Sequence, residues 1–134
     1  MGRSEVRLSQ IVTSTDHEAQ LLELREVVAE SEQARTLTMM IGRDVAKVIS
    51  SRVRGIETPR PLTHDLTQAV LISLGGEVLE VEIRDLQDGT YFATLRIRQE
   101  QAIHELDARP SDAVALAFGA SAPIYVHDRV WAQL

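Results

Sequence analysis

Two short stretches of the chain hold side chains suited to work on a phosphate. Pro59-Arg60-Pro61-Leu62-Thr63-His64-Asp65 and Asp107-Ala108-Arg109-Pro110-Ser111-Asp112 share one layout: an arginine beside a proline, then a hydroxyl residue, then an aspartate entering a helix. Cleaving a phosphodiester with metal assistance takes carboxylates that hold Mg²⁺ or a similar divalent ion against the phosphate, and a cation that neutralises developing charge. Asp65, Asp107 and Asp112 are the candidate carboxylates, with Asp65 and Asp112 as metal ligands. His64 is a candidate general base or ligand, and Arg60 and Arg109 are candidate phosphate clamps. The catalytic set expected on this reading is His64, Asp65, Asp107, Arg109 and Asp112, gathered in one cleft. It fails if Asp65 and Asp112 lie on opposite faces of the fold.

A second account covers the same residues without chemistry. Thr63 and Asp65 stand where a helix begins, and Ser111 and Asp112 follow a proline that opens another. Such residues satisfy free amides and the helix dipole. Arg109 is equally placed to bridge Asp107 or another acid. Both accounts stay open. His17, His104 and His127 show no partner spacing, and no P-loop, dinucleotide fingerprint, nucleophile elbow, zinc-protease or EF-hand motif occurs.

The elements that must position these side chains are legible from apolar spacing. Val6 to Thr13, Ala19 to Val28 and Thr36 to Ile41 read as strands, with 15–18 as a turn and Leu22 and Leu24 facing inward. A helix over 18–35 is the competing reading of the second. From Arg43 to Val53 the spacing turns helical, with Val45, Ala46, Val48, Ile49 and Val53 on one side. Arg43, Lys47 and Arg54 lie on the other side. The stretch 43–60 has five basic and two acidic residues, the chain's one basic concentration; with Arg60 this side is the candidate nucleic-acid surface. Thr63 is expected to cap a helix from His64 to about Leu74, whose apolar side is Leu66, Val70, Leu71 and Leu74. Alternation then predicts a hairpin turning at Asp88-Gly89 and a third strand near Ala102 to Ala108. Pro110 opens a helix ending at Gly119, Ala122 to Val126 is a last strand, and Trp131 lies in the terminal segment. Strands and helices mix without strict alternation, so the class is α+β, a mainly antiparallel sheet with three to four short helices.

The two Arg-Pro blocks, together with Ile83-Arg84-Asp85-Leu86-Gln87-Asp88-Gly89-Thr90-Tyr91-Phe92-Ala93, Ala122-Pro123-Ile124-Tyr125-Val126 and Ile41-Gly42 before a helix, resemble the bifunctional nuclease domain family. The resemblance runs from about Thr36 to Trp131. It implies the family's fold, DNase and RNase activity, and self-association, with a dimer as the first expectation. Arg43-Asp44 departs from the neutral or acidic residues usual there, so the basic side belongs to this protein in particular.

Composition sets the outer limits. The 134 residues, 44% hydrophobic and 25% charged, make one globular domain over 1–134 with an aliphatic core, since aromatics are only 4%. No cysteine is present, which removes disulfides, thiolate metal sites and a cysteine nucleophile. The charged start has no signal-peptide pattern and no window is long and apolar enough for a membrane span, so a cytoplasmic protein with no membrane partner is expected. Net charge is −6, unlike a protein whose main task is holding duplex DNA. A nuclease acting on DNA or RNA is the leading expectation, and a non-catalytic oligomeric scaffold is its rival.

Overall fold

A computed structural model describes residues 2–13 and 19–134. The turn expected at 15–18, with His17, lies outside the described residues. In chain order the elements are β1 (Arg3–Val12), β2 (Ala19–Glu26), β3 (Thr36–Gly42), α1 (Arg43–Arg54), α2 (Thr63–Ser73), β4 (Gly76–Gln87), β5 (Thr90–Gln99), β6 (Ala102–Ala108), α3 (Pro110–Ala120), β7 (Ile124–His127) and α4 (Asp128–Trp131). The strands form one sheet in the order β3-β2-β1-β7-β4-β5-β6. Every pairing is antiparallel except β4 with β7. The architecture is α+β, with four helices. At 18–35 the strand reading holds over Ala19–Glu26. Asp88 and Gly89 both take positive φ, as a two-residue hairpin turn requires.

One side of the sheet carries the core. Val6, Leu22, Leu24, Val81, Ile83, Ala93 and Val126 are fully buried there, against Ile49 of α1 and Val114 of α3. Each of these larger side chains contributes on the order of 2 kcal/mol through burial. The sheet curls around the helices. Tyr91 of β5 donates its hydroxyl to the Thr38 carbonyl of β3 at 3.1 Å, although those strands are far apart in the sheet order. The outer side carries charge. Arg3 binds Glu80 and Glu82, and Arg96 binds both of these and Glu105. The Arg3 hydrogen bond holds the Glu80 carboxyl below its usual range, against the opposing effect of burial.

Four expectations need correction. Leu66, Val70 and Leu74 do not pack inward; all three are exposed, and α2 has no buried residue. The side it turns to the fold carries His64, Asp65, Gln68 and Leu71, and polar bonds seat it together with Leu71, which packs against the core. Thr63 is not the cap: Leu62 holds that position, and the Asp65 carboxylate reaches back to the Leu62 N–H at 2.8 Å. Gly119 does not end α3, which runs to Ala120, with Ser121 in the left-handed conformation at φ 54. Gly119 instead makes room, because a Cβ there would collide with Gln68 and Arg52. Val53 is exposed beside an open hollow where the last turn of α1 passes its cover. Among the described residues, no helix is long and apolar enough to cross a membrane.

Candidate active site at the starts of the second and third helices

Pro59 and Pro61 hold the chain extended before α2, and Pro110 pre-sets the first turn of α3. Consecutive residues of a helix point about 100° apart. His64 and Asp65 therefore face different neighbours: His64 turns to α3 and Asp65 to α1.

His64 Nε2 lies 2.8 Å from Asp112 Oδ1, joining the two Arg-Pro blocks across 48 residues of chain. The other Asp112 oxygen accepts from Arg109 Nε at 2.8 Å. Burial alone would raise the Asp112 pKa, but the bonds from Arg109 and His64 outweigh it and hold the carboxyl below its usual range. An ionised Asp112 can only accept, so the proton of neutral His64 belongs on Nε2. Nδ1 is left as the lone-pair nitrogen. It has no hydrogen-bond partner among the described residues. The His64 side chain as a whole is only 15% exposed, so the ring is held rather than free.

Asp65 has a different set of partners. One oxygen accepts from the Leu62 N–H and the other from Arg52 at 3.0 Å. These bonds, the backbone one foremost, lower its pKa. Arg52 also donates to the Ala115 carbonyl, so one guanidinium ties α1, α2 and α3 together. Arg52 has no place in the sequence-based site, yet a signal existed. It stands four residues after Val48 and three after Ile49, a charge on the buried side of an amphipathic helix.

The remaining candidates disperse. Asp107 sits on the outer side of the sheet, bonded to Arg84 at 2.7 Å, because it alternates with Ala108, which packs against the core. It does not join His64. Arg43 and Arg109 line one hollow of about 420 Å³ with Gly42, Asp44 and Val45, where α1 and α3 both begin. Lys47, Arg54 and Arg60 are exposed and form no ion pair among the described residues. Lys47 and Arg54 are seven residues apart on one side of α1.

A divalent ion held by Asp65 and Asp112 does not fit this arrangement. All four carboxylate oxygens already accept hydrogen bonds, and an arginine beside each carboxylate opposes a further cation. Among the described residues no group of three or more His, Asp or Glu could hold a metal ion. What the arrangement can do is acid–base chemistry at His64 Nδ1, beside an arginine suited to an anion.

Comparison with known proteins gives the setting. The sequence profile of the bifunctional nuclease domain matches residues 27–134. An uncharacterized protein of Mycobacterium tuberculosis is 40% identical over 129 residues, covering 96% of this chain and 74% of that protein. The rice protein (Oryza sativa subsp. japonica) named bifunctional nuclease 1 is 29% identical over 86 residues, 62% of this chain and 26% of the rice protein. A bifunctional nuclease of Oryza minuta matches to the same extent. The chain thus spans about a quarter of the length of these plant relatives.

Proposed function

Because the chain belongs to the bifunctional nuclease domain family, we propose that it hydrolyses phosphodiester bonds of DNA or RNA in the cytoplasm, with His64 as general base. Nδ1 takes the proton of the attacking hydroxyl, either water or a ribose 2′-hydroxyl, and the imidazolium then returns a proton to the leaving oxygen. Asp112 fixes the ring and its tautomer and stabilises the imidazolium as it forms, an Asp–His pairing familiar from hydrolases. Arg109 and Arg43 neutralise the phosphate at the hollow where α1 and α3 begin, and both helix N-termini favour an anion there. Lys47, Arg54 and Arg60 extend that positive surface along the strand.

The observation that carries this reading is the 2.8 Å bond from His64 to Asp112, which leaves Nδ1 without a partner among the described residues. The test is cleavage of labelled single-stranded DNA and RNA by purified protein, with EDTA or with added Mg²⁺. Wild type is compared with His64→Gln and Asp112→Asn. Cleavage that persists in EDTA and is lost in His64→Gln, with the variant folded, supports the reading. Cleavage that His64→Gln retains, or that EDTA abolishes, sinks this role for His64.

One observation favours the scaffold reading. With no fully buried residue of its own, α2 is seated by the His64–Asp112 and Asp65–Arg52 bonds, the Gln68 bond to the Leu116 carbonyl and the partly buried Leu71. On that reading the wild type cleaves nothing, and His64→Gln lowers the melting temperature.

A further inference from the structure

A second hollow, of about 600 Å³, adjoins the one that Arg43 and Arg109 line, and the two share Gly42 and Arg109. Five consecutive residues of β3, Thr38 to Gly42, form one of its walls. Side chains along a strand alternate between faces, so a hollow that touches five residues in a row runs along the strand's edge. β3 is the end strand of the sheet, and the edge in question is the one away from β2.

In an antiparallel strand each residue points its N–H and C=O to the same side, and successive residues alternate. The Thr38 carbonyl accepts from the Tyr91 hydroxyl rather than from β2, so Thr38, Met40 and Gly42 turn these groups to the hollow. Thr38 is closed by that bond. Gly42 caps α1, and the carbonyl of a capping residue accepts the first helical bond. Met40 is left with a donor and an acceptor side by side, neither with a partner among the described residues. Its side chain is 73% exposed.

A single open rung is too short for an added peptide strand, which gains its affinity from a ladder of main-chain bonds. It suits a flat ring with a donor next to an acceptor on its edge. All the nucleobases have such an edge. We propose that this hollow is a nucleobase subsite, resting on the phosphodiester reading for the phosphate at Arg109. The Met40 N–H donates to a ring nitrogen or carbonyl oxygen of the base, and the Met40 carbonyl accepts from the neighbouring N–H. The Met40 thioether and Leu86 cover the ring's faces. A base stacked and paired within a duplex cannot enter, so the subsite selects unpaired nucleotides of either DNA or RNA.

The test needs binding alone. Adenosine 5′-monophosphate, uridine 5′-monophosphate and ribose 5-phosphate are titrated into the full chain by calorimetry, with backbone amides followed by NMR. Both nucleotides are expected to bind at least about tenfold tighter than the sugar phosphate and to shift the Met40 amide, which ribose 5-phosphate leaves in place. Met40→Pro removes the donor at an edge position that tolerates proline, and should bring both nucleotides down to the affinity of ribose 5-phosphate. The wild-type amide shifts decide the matter even if that variant does not fold. Nucleotides that bind no tighter than ribose 5-phosphate overturn the proposal, as does a gain that folded Met40→Pro keeps. A Met40 amide that responds to a short extended peptide and to neither nucleotide overturns it too, and gives the edge to a protein segment. Cleavage, assayed separately, keeps the two readings apart. Base-dependent binding without cleavage retains the subsite and removes the nuclease; cleavage without base-dependent binding does the reverse.

Discussion

Asp65 and Asp112 each stand in the first turn of a helix, three residues after the residue that caps it, and each has an arginine at hydrogen-bond distance. Their surroundings separate them. Asp65 closes the start of α2 through the Leu62 N–H and anchors Arg52, whose guanidinium is mostly covered and reaches a third helix. Asp112 is bonded to an exposed arginine and to an imidazole whose second nitrogen has no partner among the described residues. One carboxylate thus completes a closed structural network, and the other sits in a chain of groups that opens outward. The contrast teaches that a shared motif layout does not assign a shared role. The partner opposite the carboxylate assigns it.

The comparison breaks most sharply in kinetics. Asp112→Asn is expected to lower kcat by about 10²–10³-fold, since an amide no longer fixes the His64 tautomer or stabilises an imidazolium. Asp65→Asn should leave kcat close to wild type. Equal losses in the two variants, measured on a labelled oligonucleotide, would erase the distinction. Stability should divide the other way. Asp65→Ala removes the bond to Leu62 and leaves Arg52 without its acid, at a cost of roughly 2 kcal/mol and about 6–8 °C in Tm. Asp112→Ala, read in the same thermal melts, is expected to cost less, because Arg109 returns to water.

Arg109→Ala sharpens the outward-facing side. If Arg109 binds substrate phosphate in ground and transition states alike, KM rises about tenfold while kcat holds. A fall in kcat alone would place it in transition-state stabilisation instead. The smallest effect concerns pH. Both aspartates titrate below their ordinary value of about 3.9 when folded. The stability they contribute is therefore present above that value and lost as pH falls through the lower folded one. Acid unfolding followed by circular dichroism should be less steep below about pH 4 in Asp65→Asn than in wild type. An unchanged slope would show that the Leu62 and Arg52 bonds leave the Asp65 titration where it is in the unfolded chain.

Helices α1 and α2 show how much was legible. Both have apolar residues at helical spacing, and both helices form close to where the spacing puts them. Periodicity says which side of a helix avoids water, but not what will cover it. For α1 the cover is the curled sheet and α3, reached within the same chain. For α2 no covering element exists within the described residues, so its outer side stays exposed, while its inner side is held by polar bonds and by Leu71 against the core. Spacing puts Arg52 on the buried side of α1, but its partners there, Asp65 and the Ala115 carbonyl, come from helices set by the fold and not by local spacing. Asp107 shares a block with Arg109, but it stands in β6 and is turned to the outer side of the sheet with Arg84, whereas Arg109 lies past the strand at the start of α3. In an extended strand the step from one residue to the next changes the face of the sheet.

Local order is therefore what the sequence determined alone: the strands, the helices, the hairpin turn at Asp88-Gly89, the two Arg-Pro helix starts and the family they resemble. These rest on backbone preference and apolar spacing, which act over a few residues. The tertiary structure decided which of the two aspartates meets a histidine, that Arg52 joins three helices, that Asp107 faces away, and that one apolar stripe is left without a cover. Those outcomes rest on hydrogen bonds and packing between residues far apart in the chain, His64 and Asp112 among them. Such contacts come from the curl of the sheet and the seating of the helices within it, and no local spacing encodes them.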